Sequence, residues 1–300
     1  FAGRSGGFNP SLRRLCGLKC KAKMIDSRIQ KIIRAALAED IGTGDITTQA
    51  TVSPKKKGRA VAVAKENFVV AGLEVFEAVF QCLDPDIVVR KVVADGSRVR
   101  KGAVLARVEG RLSAILQAER TALNFFQRMC GIATLTAAYV DAVGKTKAKI
   151  YDTRKTVPGL RALDKMAVRQ GGGTNHRFGL FDAVLIKDNH IEAAGGIAAA
   201  VAARKKHWKR SFKIEVETKN LREVKEALVC GADIIMLDNM TIHAMKKAVD
   251  WVAGRAFIEA SGNVTLKRVR EIASTGVDMI SVGALTHSVR AADISLKIQG

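Results

Sequence analysis

Positively charged side chains directly follow two short apolar runs in the second half of this 300-residue chain. Arg154 and Lys155 come after residues 149–151, and Lys187 comes after residues 183–186. Arginine binds carboxylate or phosphate through paired, charged hydrogen bonds, and lysine adds a compact positive charge. The pattern predicts a site for a ligand with several negative groups. A solvated basic rim would give the same pattern in a chain with 50 Lys and Arg.

A glycine-rich segment, residues 171–177, ends in His176 and Arg177 and would add to this set. A single histidine is more often a structural residue than a catalytic one. The sequence therefore indicates a functional role for His176 only if the fold brings it to the same site as the other cations.

Two carboxylates end further apolar runs, Glu217 after residues 213–216 and Asp238 after residues 234–237. Mg²⁺ prefers one or two carboxylates together with substrate phosphates and waters. Glu217 and Asp238 could therefore bind Mg²⁺, or they could be salt-bridge partners of the cations.

The last two apolar runs are followed by Ser261-Gly262 and by Gly283. Parallel α/β barrels often bind phosphate at this place through backbone N–H groups. Two tight turns between strand and helix would need the same glycines, so the pattern alone leaves both interpretations open.

The elements that must position these residues form a repeat. Short β-branched runs alternate with helical stretches, and the later runs recur every 20 to 23 residues. This repeat predicts parallel strands with crossover helices. A (β/α) barrel gathers reactive groups around one mouth at the carboxyl ends of its strands, whereas a doubly wound open sheet binds ligands at one crevice. Polar residues end nearly every run, which favours the barrel.

The first part of the chain has a different pattern, with helical periodicity at residues 73–83 and 112–129 among several strand-like runs. We predict a mixed α/β domain at residues 24–130 and the barrel at residues 131–287, with a C-terminal helix at 288–300 that packs back on the first domain. Arg120 lies within the apolar helix 112–129, an awkward place for a charge. It either pairs with Glu119 or projects into a functional site.

The formal net charge of +21 is compatible with nucleic acid, an anionic surface or strongly anionic small substrates as partners. A nucleic-acid-binding protein is the alternative from a different class. Only 5% of the residues are aromatic and no recognition motif is present, which argues against specific nucleic-acid binding. No apolar run approaches the roughly 20 residues of a membrane helix, so we expect no membrane span.

Residues 1–23 contribute +6 of this charge and contain no acidic residue. We expect them to form a basic, disordered leader. It has the composition of a transit peptide. The alternative, which we favour, is sequence upstream of a start at Met24. The expected location is therefore the cytoplasm, or an organelle if the leader is a transit peptide.

The order and spacing of several short strings resemble the quinolinate phosphoribosyltransferase family, also called nicotinate-nucleotide pyrophosphorylases (carboxylating). The resemblance runs from about Ile25 to Ser295 without a departure in the strings that carry it. These are EDIGTGD at 39–45, ERTALN at 119–124, DTRKTVPG at 152–159, GGGTNHR at 171–177, LIKDNH at 185–190, EVE at 215–217 and MLDN at 236–239.

The resemblance implies an α/β protein with an N-terminal open α/β sandwich domain and an irregular, roughly seven-stranded (β/α) barrel. It also implies a homodimer or higher homo-oligomer in which Arg120 reaches the barrel mouth of the neighbouring subunit. The substrates would be quinolinate and phosphoribosyl pyrophosphate, and the cofactor Mg²⁺. The products would be nicotinate mononucleotide, pyrophosphate and CO₂, a step of de novo NAD biosynthesis.

The family's site residues carry over position by position. Arg154, Arg177 and Lys187, with Arg120, would hold the two carboxylates of quinolinate. The resemblance also places Thr153 at the substrates, together with Lys155 and His176, which would lie toward the pyrophosphate. Glu217 and Asp238 would be the Mg²⁺ and ribose ligands, and Lys155, Lys187, Glu217 and Asp238 the catalytic set. The 5-phosphate would be received by Ser261, Gly262, Asn263, Val282, Gly283 and Ala284.

The nearest alternative is a related barrel phosphoribosyltransferase that acts on nicotinate. Nicotinate has a single carboxylate, so four cations around the ring would be excessive. The sequence therefore favours quinolinate.

Overall fold

The computed structural model describes residues 25–207 and 212–299. The leader expected at residues 1–23 lies outside them. None of the described helices is long and apolar enough to cross a membrane. The chain divides into two compact units. The first runs to Thr134 and includes Pro158–Gly171 and the segment from Val289, and the second comprises Leu135–Val157 and Gly172–Ser288.

In chain order, the helices and strands of the described residues are α1 (Ser27–Ile41), α2 (Ile46–Thr51), β1 (Lys57–Ala64), β2 (Phe68–Val69), α3 (Leu73–Leu83), β3 (Val88–Lys91), β4 (Arg98–Val99), β5 (Val104–Arg111), α4 (Leu112–Val143), β6 (Lys149–Tyr151), α5 (Arg161–Gln170), β7 (Val184–Ile186), α6 (Asp188–Ala194), α7 (Ile197–His207), β8 (Ile214–Thr218), α8 (Leu221–Val229), β9 (Ile234–Asp238), α9 (Ile242–Val252), β10 (Phe257–Ser261), α10 (Val269–Ala273), β11 (Met279–Ser281), α11 (Ala284–His287) and β12 (Ile294–Gln299).

The first unit is built on an antiparallel sheet with the strand order β12-β1-β5-β3. Its core contains Phe76 and Phe80 of α3, which are fully buried together with Phe126 of α4. The ring centroids of Phe76 and Phe126 are 5.1 Å apart. Burial of such large apolar side chains is the main favourable term in folding. The predicted helix at 73–83 is confirmed, and the N-terminal α/β domain is built on an antiparallel sheet.

The C-terminal segment is a strand, and the helix predicted at residues 288–300 is wrong. β12 pairs antiparallel with β1, with Ile294 opposite Ala64 and Leu296 opposite Ala62. The alternation of Ile294, Leu296 and Ile298 has the two-residue period of a strand. Pairing with β12 also satisfies the backbone groups that β1 would otherwise expose at its edge.

The second unit is a parallel sheet with the order β6-β11-β10-β9-β8-β7. β6, its first strand along the chain, pairs with β11, its last. On the other side of β6, Thr174 forms a parallel bridge with Tyr151, which gives six strands and one further strand position. First and last strands are neighbours in a barrel, whereas a doubly wound sheet places its first strand in the middle. The α/β class and a C-terminal parallel α/β domain are confirmed.

The segment Pro158–Gly171, with helix α5, belongs to the first unit. The sequence analysis had placed it with the barrel. Within the first unit, Arg128 of α4 donates two hydrogen bonds of 2.9 Å to the fully buried carboxylate of Asp164 in α5. A charged contact of this kind between helices distant in sequence has no local pattern that would reveal it.

Candidate active site

A cavity of about 680 Å³ lies at the carboxyl ends of the parallel strands in the second unit. Each strand contributes through the residues at or just beyond its end. The predicted site residues that line the cavity are Thr153, Arg154, Lys155, His176, Arg177, Lys187, Glu217, Asp238, Ser261, Gly262, Asn263, Gly283 and Ala284. The structure thus brings together residues up to 131 positions apart, while their individual roles stay predictions.

Two guanidinium groups, those of Arg154 and Arg177, share one part of the cavity. Burial, together with the positive charge of Arg154, lowers the pKa of Arg177. One Nη1–H of Arg177 is donated to the carbonyl oxygen of Ala183 at 3.2 Å. Two like charges in a partly buried place repel each other unless an anion lies between them. The pair is therefore suited to a ligand that carries carboxylates.

His176, which lines the cavity, is held between two buried carboxylates. Its Nε2 lies 3.2 Å from Glu215 and 3.1 Å from Glu259. Burial alone would lower the pKa of His176, but the hydrogen bonds to these two carboxylates raise it to about 10. The backbone N–H of Arg177, 2.8 Å from Nδ1, opposes protonation. One neutral dipole is weaker than two buried carboxylates, so we assign the protonated ring.

Glu217 and Asp238 form an acidic part of the cavity at the ends of the neighbouring strands β8 and β9. Burial raises the pKa of Glu217, and the carboxylates of Asp238 and Asp188 raise it further, while Lys187 opposes them. The ammonium of Lys187 is 3.7 Å from the Glu217 carboxylate. Carboxylates that repel one another in this way are the donor set that Mg²⁺ prefers. Glu217 and Asp238 therefore fit a divalent cation.

The glycines of the last two strand ends make room for particular side chains. A Cβ atom at Gly283 would lie 3.0 Å from Cδ of Lys155 and 3.1 Å from the ring of His287. Because residue 283 has no side chain, the side chain of Lys155 can pass over the backbone at this position and reach the cavity. At Gly262, where φ is 86°, a Cβ atom would lie 2.4 Å from Oδ1 of Asn239. At Gly262 both the close approach and the positive φ favour glycine, whereas at Gly283, where φ is −64°, only the close approach does.

Two predicted site residues do not line this cavity. Val282 is 1% exposed, and its backbone N–H is donated to the carbonyl oxygen of Tyr151 at 2.9 Å, so neither its side chain nor its N–H faces the cavity. It continues the alternation of β11 and points into the core. Arg120 belongs to the first unit and is exposed. Its side chain is thus exposed in the single chain, although the surrounding helix is largely apolar.

Several cavity residues were missed by the sequence analysis. They are Leu185, Asp188, Met236, Asn239, Glu259, Val264, Thr265, Ser281 and His287. Glu215 lies beneath the cavity and was also missed. A signal for Glu215 and Glu259 exists, since each stands two residues before a predicted site residue in its strand. Side chains at i and i+2 of a strand point to the same face, here the interior.

Comparisons with known proteins follow the division into two parts. Residues 45–130 match the family described as quinolinate phosphoribosyl transferase, N-terminal domain, and residues 132–297 match its C-terminal domain. The chain is 48% identical to the nicotinate-nucleotide pyrophosphorylase [carboxylating], chloroplastic, of Arabidopsis thaliana, over 90% of this chain and 82% of that protein. It is 46% identical, with the same coverage, to the quinolinate phosphoribosyltransferase [decarboxylating] 2, mitochondrial, of Nicotiana glauca.

The fold agrees with a solved structure as well. The nicotinate-nucleotide pyrophosphorylase from Francisella tularensis superposes with a TM-score of 0.87 at 42% sequence identity, covering 93% of this chain and 98% of that one. The resemblance inferred from the short strings is confirmed over 90% of the chain. The chain belongs to the quinolinate phosphoribosyltransferase family.

Proposed function

We propose that this chain transfers the phosphoribosyl group of phosphoribosyl pyrophosphate to quinolinate with loss of CO₂, giving nicotinate mononucleotide and pyrophosphate for NAD biosynthesis. The observation that carries the proposal is the convergence of Arg154, Arg177 and Lys187 on one cavity that also holds Glu217 and Asp238. The two carboxylates of quinolinate and the phosphates of the second substrate need positively charged side chains to bind them. The metal ion that accompanies the pyrophosphate needs carboxylate ligands.

The roles follow from position in the cavity. Arg154 and Arg177 would bind the two carboxylates of quinolinate, helped by Lys187, and so hold its ring nitrogen toward the ribose. The ring nitrogen is the nucleophile, so orientation of the two substrates supplies much of the rate. The loop Ser261–Asn263 and Gly283 would receive the 5-phosphate through backbone N–H groups. Lys155, which passes over Gly283, would lie beside the departing pyrophosphate.

Glu217 and Asp238 would hold Mg²⁺, which when bound supplies positive charge to the pyrophosphate as it leaves. The same carboxylates can stabilise positive charge that develops on the ribose. Loss of the 2-carboxylate leaves electron density on the pyridine ring, and the neighbouring cations of Arg154, Arg177 and Lys187 are placed to stabilise it.

We further propose that the active form is a homodimer in which Arg120 completes the site of the partner. Its support is the exposure of this arginine on α4 and its assignment by the family resemblance. The names of the relatives from Arabidopsis thaliana and Nicotiana glauca, chloroplastic and mitochondrial, favour the organelle alternative over the cytoplasmic expectation. A reporter fused behind residues 1–23 would test this by its location in plant cells.

One assay tests the activity. Quinolinate, phosphoribosyl pyrophosphate and Mg²⁺ are expected to yield nicotinate mononucleotide and CO₂ in equal amounts. Nicotinate in place of quinolinate is expected to give little product, because one carboxylate neutralises only part of the positive charge of the cationic cluster. Turnover of nicotinate but not of quinolinate would assign the chain to the alternative substrate.

A further inference from the structure

Asn239 connects two strand ends of the cavity through its side chain. Its Nδ2 donates a 3.1 Å hydrogen bond to Oδ2 of Asp238, at the end of β9. Its Oδ1 accepts a 2.9 Å hydrogen bond from Nδ2 of Asn263, in the loop after β10. Its backbone N–H is donated at 2.9 Å to the carbonyl oxygen of Ser261. One amide group therefore contacts both the acidic part of the cavity and the loop.

The backbone around this amide adopts a conformation that few residues tolerate. The φ angles are 54° at Asn239, 86° at Gly262 and 46° at Asn263. Asparagine enters the left-handed region more readily than other side chains, but it does so at a cost in energy. Such strain persists where the surrounding contacts over-determine it, and it concentrates at functional sites. Here the contacts are the hydrogen bond from Asn263 to Asn239, the one from Asn239 to Asp238 and the one from the Asn239 backbone N–H to Ser261.

The amide also lies directly over Gly262, where a Cβ atom would overlap Oδ1, Cγ and Nδ2 of Asn239 at 2.4 to 2.6 Å. The loop can approach β9 this closely only because residue 262 has no side chain. The distance between Asp238 and the loop is thus set by packing as well as by hydrogen bonds.

We propose that Asn239 is a positioning residue that fixes the Asp238 carboxylate relative to the loop Ser261–Asn263, and so sets the span between the pyrophosphate end and the 5-phosphate end of phosphoribosyl pyrophosphate. The inference rests on the proposed function, which places the two ends of that substrate at these two places. The hydrogen bond to Oδ2 orients the Asp238 carboxylate and directs its other oxygen to the ligand. Quinolinate, held by Arg154 and Arg177, does not depend on this connection.

Two substitutions separate the contacts of Asn239. Asn239→Gly tolerates the positive φ and removes the amide, so its effect reports the lost hydrogen bonds. The KM for phosphoribosyl pyrophosphate and the Mg²⁺ concentration for half-maximal rate are each expected to rise about tenfold, since a hydrogen bond to a charged group contributes this much. The dissociation constant of quinolinate, measured by calorimetry without the second substrate, should stay within about twofold of that of the unaltered chain.

Asn239→Asp keeps the acceptor for Asn263 but places a second carboxylate against Asp238. Its defect should therefore be larger at low Mg²⁺ and diminish as Mg²⁺ is raised. Asn263→Gly removes the other partner and tolerates the φ of 46°. The Asn239→Gly, Asn263→Gly double variant should lose little more than either single variant, because the same connection is broken in each.

The controls distinguish this proposal from the proposed function. If the unaltered chain produces no nicotinate mononucleotide from quinolinate, the function is wrong. If the unaltered chain is active and folded Asn239→Gly keeps its KM for phosphoribosyl pyrophosphate and its Mg²⁺ requirement, the positioning role alone is overturned. Equal loss of quinolinate and phosphoribosyl pyrophosphate affinity would overturn it too. Should Asn239→Gly not fold, as judged by thermal unfolding, Asn263→Gly and Asn239→Asp decide by the same two measurements.

Discussion

Nε2 of His176 lies 3.1 Å from a carboxylate oxygen of Glu259, which is completely buried. Ser281 donates its hydroxyl to the other oxygen of the same carboxylate. Despite its own burial, which acts in the opposite direction, His176 has a pKa raised to about 10 by Glu215 and Glu259. The two buried carboxylates therefore favour the protonated ring at neutral pH, against its burial and against the Arg177 N–H donated to Nδ1.

Removal of one of these carboxylates should change the titration of His176. In Glu259→Gln we expect the pKa of His176 to fall well below 10, because one of the two groups that stabilise the imidazolium is lost. Ser281→Ala keeps both carboxylates and should leave the ring protonated. The ring signals in an NMR titration measure the change directly, and an unaltered His176 titration in Glu259→Gln would contradict the assignment.

The same pKa predicts a pH dependence of stability. The value in the folded chain, about 10, is above the value of about 6.5 in an unfolded chain. The folded state therefore binds the proton more tightly, and this contribution to the free energy of unfolding is fully present below pH 6.5. It should be lost as the pH rises toward 10. Urea unfolding at pH 6, 8 and 10 should show a steeper decline for the unaltered chain than for Glu259→Gln.

The two arginines of the cavity should control quinolinate affinity. Arg154→Ala and Arg177→Ala are each expected to weaken quinolinate binding by about tenfold to more than a hundredfold, since a hydrogen bond to a charged group contributes about 1.5–3 kcal/mol. Arg222→Ala, at an exposed position of α8, is the matched control and should bind normally. Calorimetric titration with quinolinate measures all three. Unaltered affinity in both cavity variants would refute the carboxylate-binding role.

Gly262 should be required for the phosphate loop. In Gly262→Ala the new Cβ atom would overlap the amide of Asn239, and φ is 86°, so the loop must move. We expect a loss of about a hundredfold in kcat/KM for phosphoribosyl pyrophosphate, as misplacement by about 1 Å typically costs this much. Gly254→Ala has a similar φ of 77° but nothing within 4 Å of the new atom. Equal losses in the two variants would show that backbone strain, not the loop position, is responsible.

The ion pair between Arg128 and Asp164 should be important for stability. Asp164 is fully buried, so Arg128→Ala removes two charged hydrogen bonds from a buried carboxylate and should lower the free energy of unfolding by about 3–5 kcal/mol. Arg59→Ala breaks an exposed pair with Glu109 and should cost less than about 1 kcal/mol. Urea unfolding of the two variants tests the contrast. A loss for Arg128→Ala no larger than that for Arg59→Ala would contradict it.

The site could be foreseen from the sequence wherever its residues follow the repeat of strands. Lys187 and Asp238 stand directly at strand ends, and strand ends of a parallel sheet meet at one edge, so periodicity alone brought them together. Glu215 and Glu259 were missed because a single acidic residue inside an apolar run has no local partner. Their partner His176 comes from a different segment, and only the tertiary arrangement of the strands brings the three together.

The errors have a similar physical origin. Val282 belongs to a glycine-containing strand end that does line the cavity, but the alternation of the strand turns its own side chain into the core. The sequence predicted a helix where β12 lies because the run Ile294–Gln299 is short. The pairing of β12 with β1 joins residues more than 200 positions apart. The strand propensity of a short segment contains no information about a pairing partner so distant in the sequence.

The contribution of Arg120 across a subunit interface can be tested by complementation. Arg120→Ala lacks the arginine that each subunit would contribute to the site of its partner, whereas Lys187→Ala lacks a residue of the subunit's own cavity. Each variant alone should be nearly inactive. In dimers formed after mixing and exchange of the two variants, one of the two sites receives Arg120 from the Lys187→Ala subunit and retains Lys187 from the other. Such dimers should recover up to about a quarter of the unaltered activity, since half of the dimers are mixed and each has one complete site. If Arg120 acted within its own subunit, no mixed dimer would contain a complete site, and mixing would restore nothing.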